Sequence, residues 1–281
     1  MKIITSISEM KQHMTEIKRN GKTVGFIPTM GFLHEGHISL ANRAVSENDF
    51  TVLSIFVNPT QFGLGEDLDR YPRDFAHDCS LSETAGVDVL FAPTVSDMYP
   101  NEYSTFVEVE KISSVLCGAS RAGHFKGVAT VVNKLFHICL PDRAYFGQKD
   151  YQQVQVIRRM VSDLNMDITI VSCPIVREQD GLAMSSRNTY LSTEERKQAL
   201  ILHQSLAFAQ ELVGTGERNA VKLIGEITTL IQTSPLADIE YVAVADVNTL
   251  KAVESIQGKV LLALAVRFGK TRLIDNIVLE V

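Results

Sequence analysis

Residues 24–37, with the sequence VGFIPTMGFLHEGH, constrain the fold of this chain more than any other stretch. Val24, Phe26 and Ile27 form the apolar, partly β-branched run that is typical of a buried strand. Pro28 is expected to end that strand, because proline cannot continue a central ladder. The following ISLANRAV has apolar residues at helical spacing, so the stretch predicts a strand, a tight turn and a helix.

The start of that helix is a candidate anion site. Gly36 and His37 fall near the helix N-terminus, where unpaired N–H groups and the helix dipole attract phosphate. His34 and His37 can face the same bound group if the helix begins between them. The glycine spacing equals that of a P-loop, but the Lys and Ser or Thr of that motif are missing, which argues against a P-loop enzyme. A surface turn with two solvated histidines, or half of a zinc site, remains open.

Composition limits the function classes. The chain has 281 residues, 45% of them hydrophobic, with a mean hydropathy of +0.07, so it can form one large or two ordinary domains. A formal net charge of −6 argues against a general nucleic-acid or anionic-membrane surface. We find no secretory or membrane-spanning segment and expect a cytoplasmic protein. Its four scattered cysteines predict buried thiols rather than a disulfide framework or a zinc ribbon.

Strand-like and helix-like runs alternate along residues 1–176 and predict an α/β, Rossmann-like domain with a doubly wound parallel sheet. Helices are expected over 5–20, 73–85, 126–139 and 150–164, and further strands over 50–57, 87–93, 105–110, 143–146 and 168–176. Residues 177–281 predict a smaller C-terminal α+β domain. It would contain one long helix opened by a Ser192–Glu195 capping box, a helix over 218–233, and a three-stranded antiparallel sheet.

Three polar segments have two interpretations each. Residues 58–72, rich in glycine, proline and acids, form either a mobile lid at the carboxyl edge of the sheet or a plain surface loop. Asp150 either binds a ligand or caps the helix that follows it. Residues 184–188, MSSRN, either bind phosphates or form an ordinary turn or helix cap.

Five blocks of the sequence, taken together, resemble a known family. They are PTMGFLHEGH at 28–37, NPTQFG at 58–63, GHFKGV at 123–128, FGQKDYQQ at 146–153 and MSSRN at 184–188. They are similar, in the same order, to blocks of the pantothenate synthetases (pantoate–β-alanine ligases), members of the HxGH nucleotidylyltransferase superfamily. The resemblance implies ATP-dependent condensation of (R)-pantoate with β-alanine through a pantoyl adenylate, with release of AMP and pyrophosphate.

The resemblance also assigns roles to residues. His34, His37 and Lys149 would be catalytic, with His37 as proton donor, and Gln61 would also bind β-alanine. Asn58, Gln61, Arg121 and Gln153 would bind pantoate. The ATP site would be formed by Met30, His34, His37, Gly147, Lys149, Asp150, Val176, Met184, Ser185, Ser186 and Arg187. Mg²⁺ would arrive with ATP; the family's adjacent acids near 77–78 are His77 and Asp78 here, so no protein ligand is assigned.

The resemblance further implies a homodimer, and from the acidic net charge we expect no nucleic-acid or membrane partner. Two other functions remain open. One is a different nucleotidyltransferase that keeps the nucleotide on its product, and the other is a nucleotide sensor or an RNA-binding synthetase relative without ligase activity.

Overall fold

A computed structural model describes residues 1–281 and divides them between two sheets. The elements that build the first sheet and its covering helices follow in chain order: β1 Lys2–Ile4, α1 Ile7–Arg19, β2 Val24–Thr29, α2 Glu35–Glu47, β3 Phe50–Ile55, α3 Phe75–Thr84, β4 Val89–Phe91, α4 Val95–Met98, α5 Cys117–Ser120, α6 His124–Cys139, β5 Arg143–Gly147, α7 Tyr151–Asp163 and β6 Thr169–Cys173. The remaining elements are α8 Thr193–Gln198, α9 Ile201–Gly214, α10 Ala220–Gln232, β7 Ala237–Asp246, β8 Lys259–Phe268 and β9 Thr271–Glu280.

The first sheet is parallel throughout, with the strand order β1-β4-β3-β2-β5-β6. The chain moves outward from β2 through β3 to β4 and then returns to place β5 on the other side of β2. This reversal opens a crevice at the carboxyl ends of β2 and β5, the place where doubly wound sheets bind ligands. The predicted Rossmann-like architecture is confirmed.

The second sheet, β7-β8-β9, is antiparallel, as predicted. Its apolar residues pack with those of α9 and α10 into a second core, which includes Leu223, Ile227, Leu262 and Leu264. Leu261 and Ala263, which alternate with the last two on β8, belong instead to the core of the first sheet. β8 therefore lies between the two cores, and the domain division at residue 176 stays a prediction.

Four sequence predictions were wrong in detail. β1 was missed, because three residues are too few to show a period. Residues 105–110 form no strand; the N–H of Val107 bonds the Thr130 hydroxyl on α6 at 2.9 Å instead of a neighbouring strand. Pro28 lies inside β2, opposite Ser54, where the pairing of β2 with β5 has already ended. The long helix after Ser192 is two helices, because the N–H of Leu202 bonds the Ala199 carbonyl three residues back.

The cysteines, the capping box at Ser192 and the helix lengths were also the subject of sequence predictions. All four cysteines are free thiols; three of them are buried and Cys79 is half-buried, so the prediction of buried thiols is confirmed for three. The capping boxes include the predicted pair of Ser192 and Glu195. None of the helices has the length and apolar character needed to cross a bilayer.

Gly127 on α6 fixes the position of the short 3-10 helix Pro59–Gln61, which carries cleft residues. A Cβ at Gly127 would overlap the Thr60 carbonyl oxygen and would lie 2.6 Å from the Gln61 nitrogen. We therefore expect Gly127→Ala to lower the free energy of unfolding by about 1–3 kcal/mol, because backbone must shift to accommodate the methyl group.

The matched control is Gly225→Ala, at a site on α10 with no atom within 4 Å of the added Cβ. It should raise the free energy of unfolding by about 0.5–1 kcal/mol, since alanine favours the helix. Urea unfolding of both variants measures the difference. Equal effects of the two substitutions would contradict the close packing of α6 on residues 59–61.

Candidate active site

The two histidines of the opening stretch meet at the N-terminus of α2. His34 is the N-cap and the helix begins at Glu35, so the condition for a shared ligand is met. The centroids of the His34 and His37 rings are 4.1 Å apart. Gly36 lets the His34 ring fold over the helix end, because a Cβ there would lie 2.9 Å from that ring.

Backbone hydrogen bonds set the protonation of both rings. The N–H of Gly36 donates to His34 Nδ1 at 3.2 Å, and the N–H of His34 donates to His37 Nδ1 at 3.3 Å. Each Nδ1 is thus an acceptor, and a neutral ring carries its proton on Nε2. Burial, followed by the positive charge of Lys149, lowers the pKa of His34 to about 4. Burial, followed by His34 and Lys149, lowers the pKa of His37 to about 3.

The histidine turn was also compatible with a solvated surface turn or with half of a zinc site. The rings are half-buried and hydrogen-bonded to backbone, unlike the solvated side chains of a surface turn. The structure contains no group of three or more His, Cys, Asp or Glu side chains suited to hold a metal ion. What the turn offers is a pair of neutral Nε2–H donors at a helix N-terminus.

Asp78 on α3 holds the histidine turn in place. Its carboxylate accepts from the N–H of Phe32 at 2.8 Å and from the N–H of Leu33 at 2.7 Å. Phe32 has a φ of 51°, a left-handed conformation that costs about 1–2 kcal/mol in a residue other than glycine. Burial raises the pKa of Asp78, although these two N–H bonds lower it. In the sequence this position stood out only as a possible metal ligand, and no local pattern pointed to its contact with the turn.

Lys149 and Asp150 enter the cleft from the carboxyl end of β5. The segment Gln148–Asp150 is a short 3-10 helix that leads directly into α7. From β9, Asn276 donates to the carbonyl of Gln148 at 3.0 Å and to that of Lys149 at 2.9 Å. The C-terminal sheet therefore fixes the backbone of Lys149. Asp150 makes no capping hydrogen bond with its side chain, so the capping alternative was wrong.

The adjacent glutamines of α7 point in different directions, as predicted. Gln152 is buried and bonds the backbone of Cys117, Ile112 and Val115 at 2.7–3.0 Å. Gln153 lines the cleft. Gln152 thus fixes the segment before α5, while the amide of Gln153 is available to a ligand.

Asn58 and Gln61, which follow β3, form one hydrogen-bonded unit. Asn58 Nδ2 donates to Gln61 Oε1 and to the Gly127 carbonyl, both at 3.1 Å. Asn58 Oδ1 accepts from the Tyr99 hydroxyl at 2.8 Å and from the Thr60 hydroxyl at 2.9 Å. The polar atoms of Asn58 are therefore occupied within the protein. Asn58 orients Gln61, whereas its predicted direct contact with pantoate stays a prediction.

The segment MSSRN lies beside the histidine turn. Ser185 caps the short 3-10 helix Ser186–Tyr190, accepting from the N–H of Arg187 at 3.3 Å. Ser186 is buried, and its hydroxyl donates to the Phe32 carbonyl at 3.4 Å. Ser185 thus caps a helix and also lines the cleft, and its binding of phosphate stays a prediction.

One cavity of about 230 Å³ joins these parts. All of the residues that the sequence analysis assigned to a site line it: Met30, His34, His37, Asn58, Gln61, Arg121, Gly147, Lys149, Asp150, Gln153, Val176, Met184, Ser185, Ser186 and Arg187. Asp150 is the one carboxylate among its lining residues. The wall also includes residues that the sequence analysis did not assign: Phe56, Tyr71, His124, Val128, Val131 and Val132.

Both cleft arginines are paired with the loop that was considered as a lid. Arg121 forms two hydrogen bonds with Glu66 at 2.6–2.7 Å, and Arg187 forms two with Asp67 at 2.8 Å. His124 accepts from Arg121 at 3.0 Å and bonds the Gln61 carbonyl at 2.8 Å. The loop therefore contacts the cleft and is more than a plain surface loop. Its motion stays a prediction.

The hydrogen bonds of the histidine turn make a prediction for NMR. At pH 6 we expect His34 and His37 to be neutral with the proton on Nε2, and to protonate only near about pH 4 and about pH 3. Long-range ¹⁵N–¹H spectra of ¹⁵N-histidine protein measure both the tautomer and the titration. The same chain in urea is the control, since its histidines should titrate near about pH 6.5.

The folded-state pKa values lie below the unfolded value, so the unfolded chain binds these two protons first as the pH falls. As the pH falls from about 6.5 to about 3–4, both histidines should therefore progressively lower the free energy of unfolding. An Nδ1–H tautomer, or protonation of either ring near about pH 6.5, would contradict the hydrogen-bond arrangement.

Asp78→Asn tests the support of the turn. An amide oxygen can accept one of the two N–H bonds, but the amide nitrogen then faces the other donor. We expect a loss of about 1–3 kcal/mol in the free energy of unfolding, measured in urea. Asp74→Asn is the control: Asp74 caps the same helix through its bond to the His77 N–H, and asparagine caps equally well. A loss no larger than the control's would show that Asp78 does not support the turn.

Comparison with known proteins places these features in one family. The pantoate-beta-alanine ligase family model matches residues 2–278. The chain is 59% identical to the pantothenate synthetase of Acetivibrio thermocellus over 281 residues, which is 100% of both chains. It is 57% identical to that of Thermotoga neapolitana over 279 residues, covering 99% of this chain and 100% of the relative.

Solved structures agree. The crystal structure of pantothenate synthetase from Thermus thermophilus matches with a TM-score of 0.94 and 45% identity, over 99% of each chain. A pantoate-beta-alanine ligase from Francisella tularensis, solved in complex with beta-gamma ATP and beta-alanine, matches with a TM-score of 0.81 and 35% identity, over 99% of this chain and 97% of that one. The chain therefore belongs to the pantoate–β-alanine ligase family and is an enzyme that condenses pantoate with β-alanine.

Proposed function

We propose that this cleft activates (R)-pantoate with ATP before β-alanine attacks. The pantoate carboxylate attacks the α-phosphorus, pyrophosphate leaves, and the amine of β-alanine then displaces AMP from the pantoyl adenylate to give pantothenate. The observation that carries the proposal is the convergence of every assigned residue on one cavity at the crevice of the parallel sheet. The Francisella relative, bound to beta-gamma ATP and beta-alanine, supports the same substrates.

In this proposal the histidine turn stabilises phosphate charge without carrying charge of its own. The Nε2–H groups of His34 and His37 are the donors left free by the backbone bonds to Nδ1. They would donate to phosphate oxygens as negative charge develops there, assisted by the N-terminus of α2. His37 would then serve as a hydrogen-bond donor from a neutral ring. Lys149, fixed by Asn276, would supply the positive charge.

The segment MSSRN would bind the departing pyrophosphate. Ser185 and Arg187 line the cavity, and the guanidinium fork of Arg187 suits two phosphate oxygens. The Nε–Nη2 edge of that fork is hydrogen-bonded to Asp67, so a phosphate that binds Arg187 through this edge must displace the carboxylate.

Pantoate would lie between Gln61 and Gln153. The amide of Gln153 is available, and the amide of Gln61 is oriented by Asn58 and also donates to the Met30 sulfur at 3.2 Å. Arg121 would hold the carboxylate in position for attack. β-Alanine would approach close to Gln61, so that its amine reaches the carbonyl carbon of the adenylate.

The donor set is compatible with Mg²⁺ that enters with ATP. Mg²⁺ in nucleotide sites usually keeps several waters and takes one or two carboxylates together with phosphate oxygens. Asp150 is the one carboxylate lining the cavity, and its side chain makes no hydrogen bond to the start of α7. Asp150 would contribute a single oxygen ligand or bond the ribose hydroxyls. When bound, the ion would neutralise the charge of the leaving pyrophosphate.

A homodimeric assembly, implied by the family resemblance, and a cytoplasmic location, expected from the sequence, are part of the same proposal. Sedimentation equilibrium would measure the assembly directly. A monomer at micromolar concentration would remove that part of the proposal without affecting the reaction.

The decisive experiment is exchange of labelled pyrophosphate into ATP, with Mg²⁺ and pantoate but without β-alanine. Pantoate-dependent exchange is expected, because adenylate formation is reversible. Adding β-alanine should then give free AMP and pantothenate. A rival nucleotidyltransferase would keep the nucleotide on its product and release no AMP, and a sensor would bind ATP without exchange.

His37→Ala and Lys149→Ala should each lower the exchange rate by about 10²–10³-fold, the usual effect of losing one donor to a transition-state oxyanion. His137→Ala is the control, because His137 is exposed on α6 and does not line the cavity. Circular dichroism would show that all three variants fold. Near-normal exchange in either cleft variant would contradict its assigned role.

A further inference from the structure

The cleft arginines bind carboxylates that belong to the protein itself. Arg121 donates from Nε to one oxygen of Glu66 at 2.7 Å and from Nη2 to the other at 2.6 Å. Its Nη1 donates to His124 Nε2 at 3.0 Å. The Nε–Nη2 edge of the guanidinium, one of its two edges that can receive a bidentate substrate carboxylate, is therefore filled.

Arg187 is occupied in the same way. Its Nε and Nη2 donate to the two oxygens of Asp67, each at 2.8 Å. The side chains in both pairs are largely shielded: Arg121 is 14% exposed and Arg187 is 27% exposed. Glu66 and Asp67 are therefore the hydrogen-bonded counter-ions of two shielded guanidinium groups.

The two acids are consecutive in the chain, and they anchor a loop that is otherwise exposed. Gly63, Leu64 and Gly65, directly before them, all face solvent, and so does Asp69 behind them. One short segment thus holds both arginines through its only two shielded carboxylates. The acids are charged at neutral pH: the bonds and charge of Arg121 hold the pKa of Glu66 at about 2, despite burial, and Arg187 lowers that of Asp67.

We infer that the carboxylates of Glu66 and Asp67 occupy the arginine sites of the anionic substrate groups, and that the substrates displace these carboxylates when they bind. Glu66 occupies the place of the pantoate carboxylate on Arg121, and Asp67 occupies that of ATP phosphate oxygens on Arg187. Substrate binding then releases residues 62–70 from the arginines. This inference rests on the proposed function for the identity of the two substrates.

The inference predicts tighter binding when the internal competitor is removed. A ligand that must displace a bound group has its affinity reduced by the fraction of protein that is free to bind it. Glu66→Gln should lower the dissociation constant of pantoate, and Asp67→Asn that of ATP, each by about 3- to 10-fold. Titration calorimetry with the full-length protein measures both constants for both variants.

Asp69→Asn is the matched control, because it removes the same charge from the same loop without an arginine contact. It should leave both dissociation constants within about 2-fold of wild type, as expected of a screened surface charge. Unchanged or weaker binding in Glu66→Gln and Asp67→Asn, or an equal gain in Asp69→Asn, would overturn the inference.

A second measurement tests the pairing without substrate. Phenylglyoxal modifies free guanidinium groups, and peptide mass mapping reports each arginine separately. Glu66→Gln should speed modification of Arg121 at least about 3-fold, and Asp67→Asn that of Arg187, while Asp69→Asn changes neither. Unchanged rates would overturn the inference. If instead these rates change but wild-type protein binds neither ATP nor pantoate, the proposed function fails and the pairing of acids with arginines stands.

Discussion

The reversal of strand order beside β2 is the constraint on which the site depends. Parallel strands direct all their carboxyl ends to one edge, and crossovers that leave β2 and β5 in opposite directions keep the crevice between them open. The histidine turn follows β2, residues 58–61 follow β3, and Lys149 follows β5. Segments far apart in the chain are therefore adjacent by topology, and the N-terminus of α2 points its dipole into the shared space.

The cleft wall carries more positive than negative side chains, although the chain as a whole is negatively charged. The protein has a formal net charge of −6, yet the cavity wall carries Arg121, Lys149 and Arg187 and a single carboxylate, Asp150. The histidines add donors without adding positive charge, because burial keeps both rings neutral. The arginines are matched by acids of an adjoining loop. The excess of positive charge is thus local to the cleft wall, and its two arginines are paired with carboxylates of the chain itself.

The C-terminal part of the chain takes part in the site rather than only covering it. Asn276 bonds the backbone at Lys149, and Arg177 forms two bonds with the buried Asp275 at 2.6 and 3.0 Å. Ser186 bonds the Phe32 carbonyl beside the histidine turn. These contacts join β9 and the segment after β6 to the loops that carry Lys149 and the histidine turn, so the geometry of these loops is set by both sheets together.

Much of the fold was predictable because its signals are local. The buried runs of β2 and β3, the helical spacing after Gly36 and the capping box at Ser192 each lie within a few residues, and each is confirmed. Local alternation also misled, since residues 105–110 have the pattern of a strand but no partner strand beside them. The assigned site residues came from the ordered family blocks, not from periodicity.

The sequence by itself determined the fold class, the family and the set of residues that converge on the cleft. Only the tertiary structure decided how they are held. Asp78 supports a turn 45 residues earlier in the chain, and the polar atoms of Asn58 are all hydrogen-bonded within the protein. The side chain of Asp150 makes no capping hydrogen bond. Glu66 and Asp67 form ion pairs with Arg121 and Arg187. These hydrogen bonds depend on the three-dimensional distances between elements that the crossovers bring together. Those distances cannot be read from the spacing of residues along the chain.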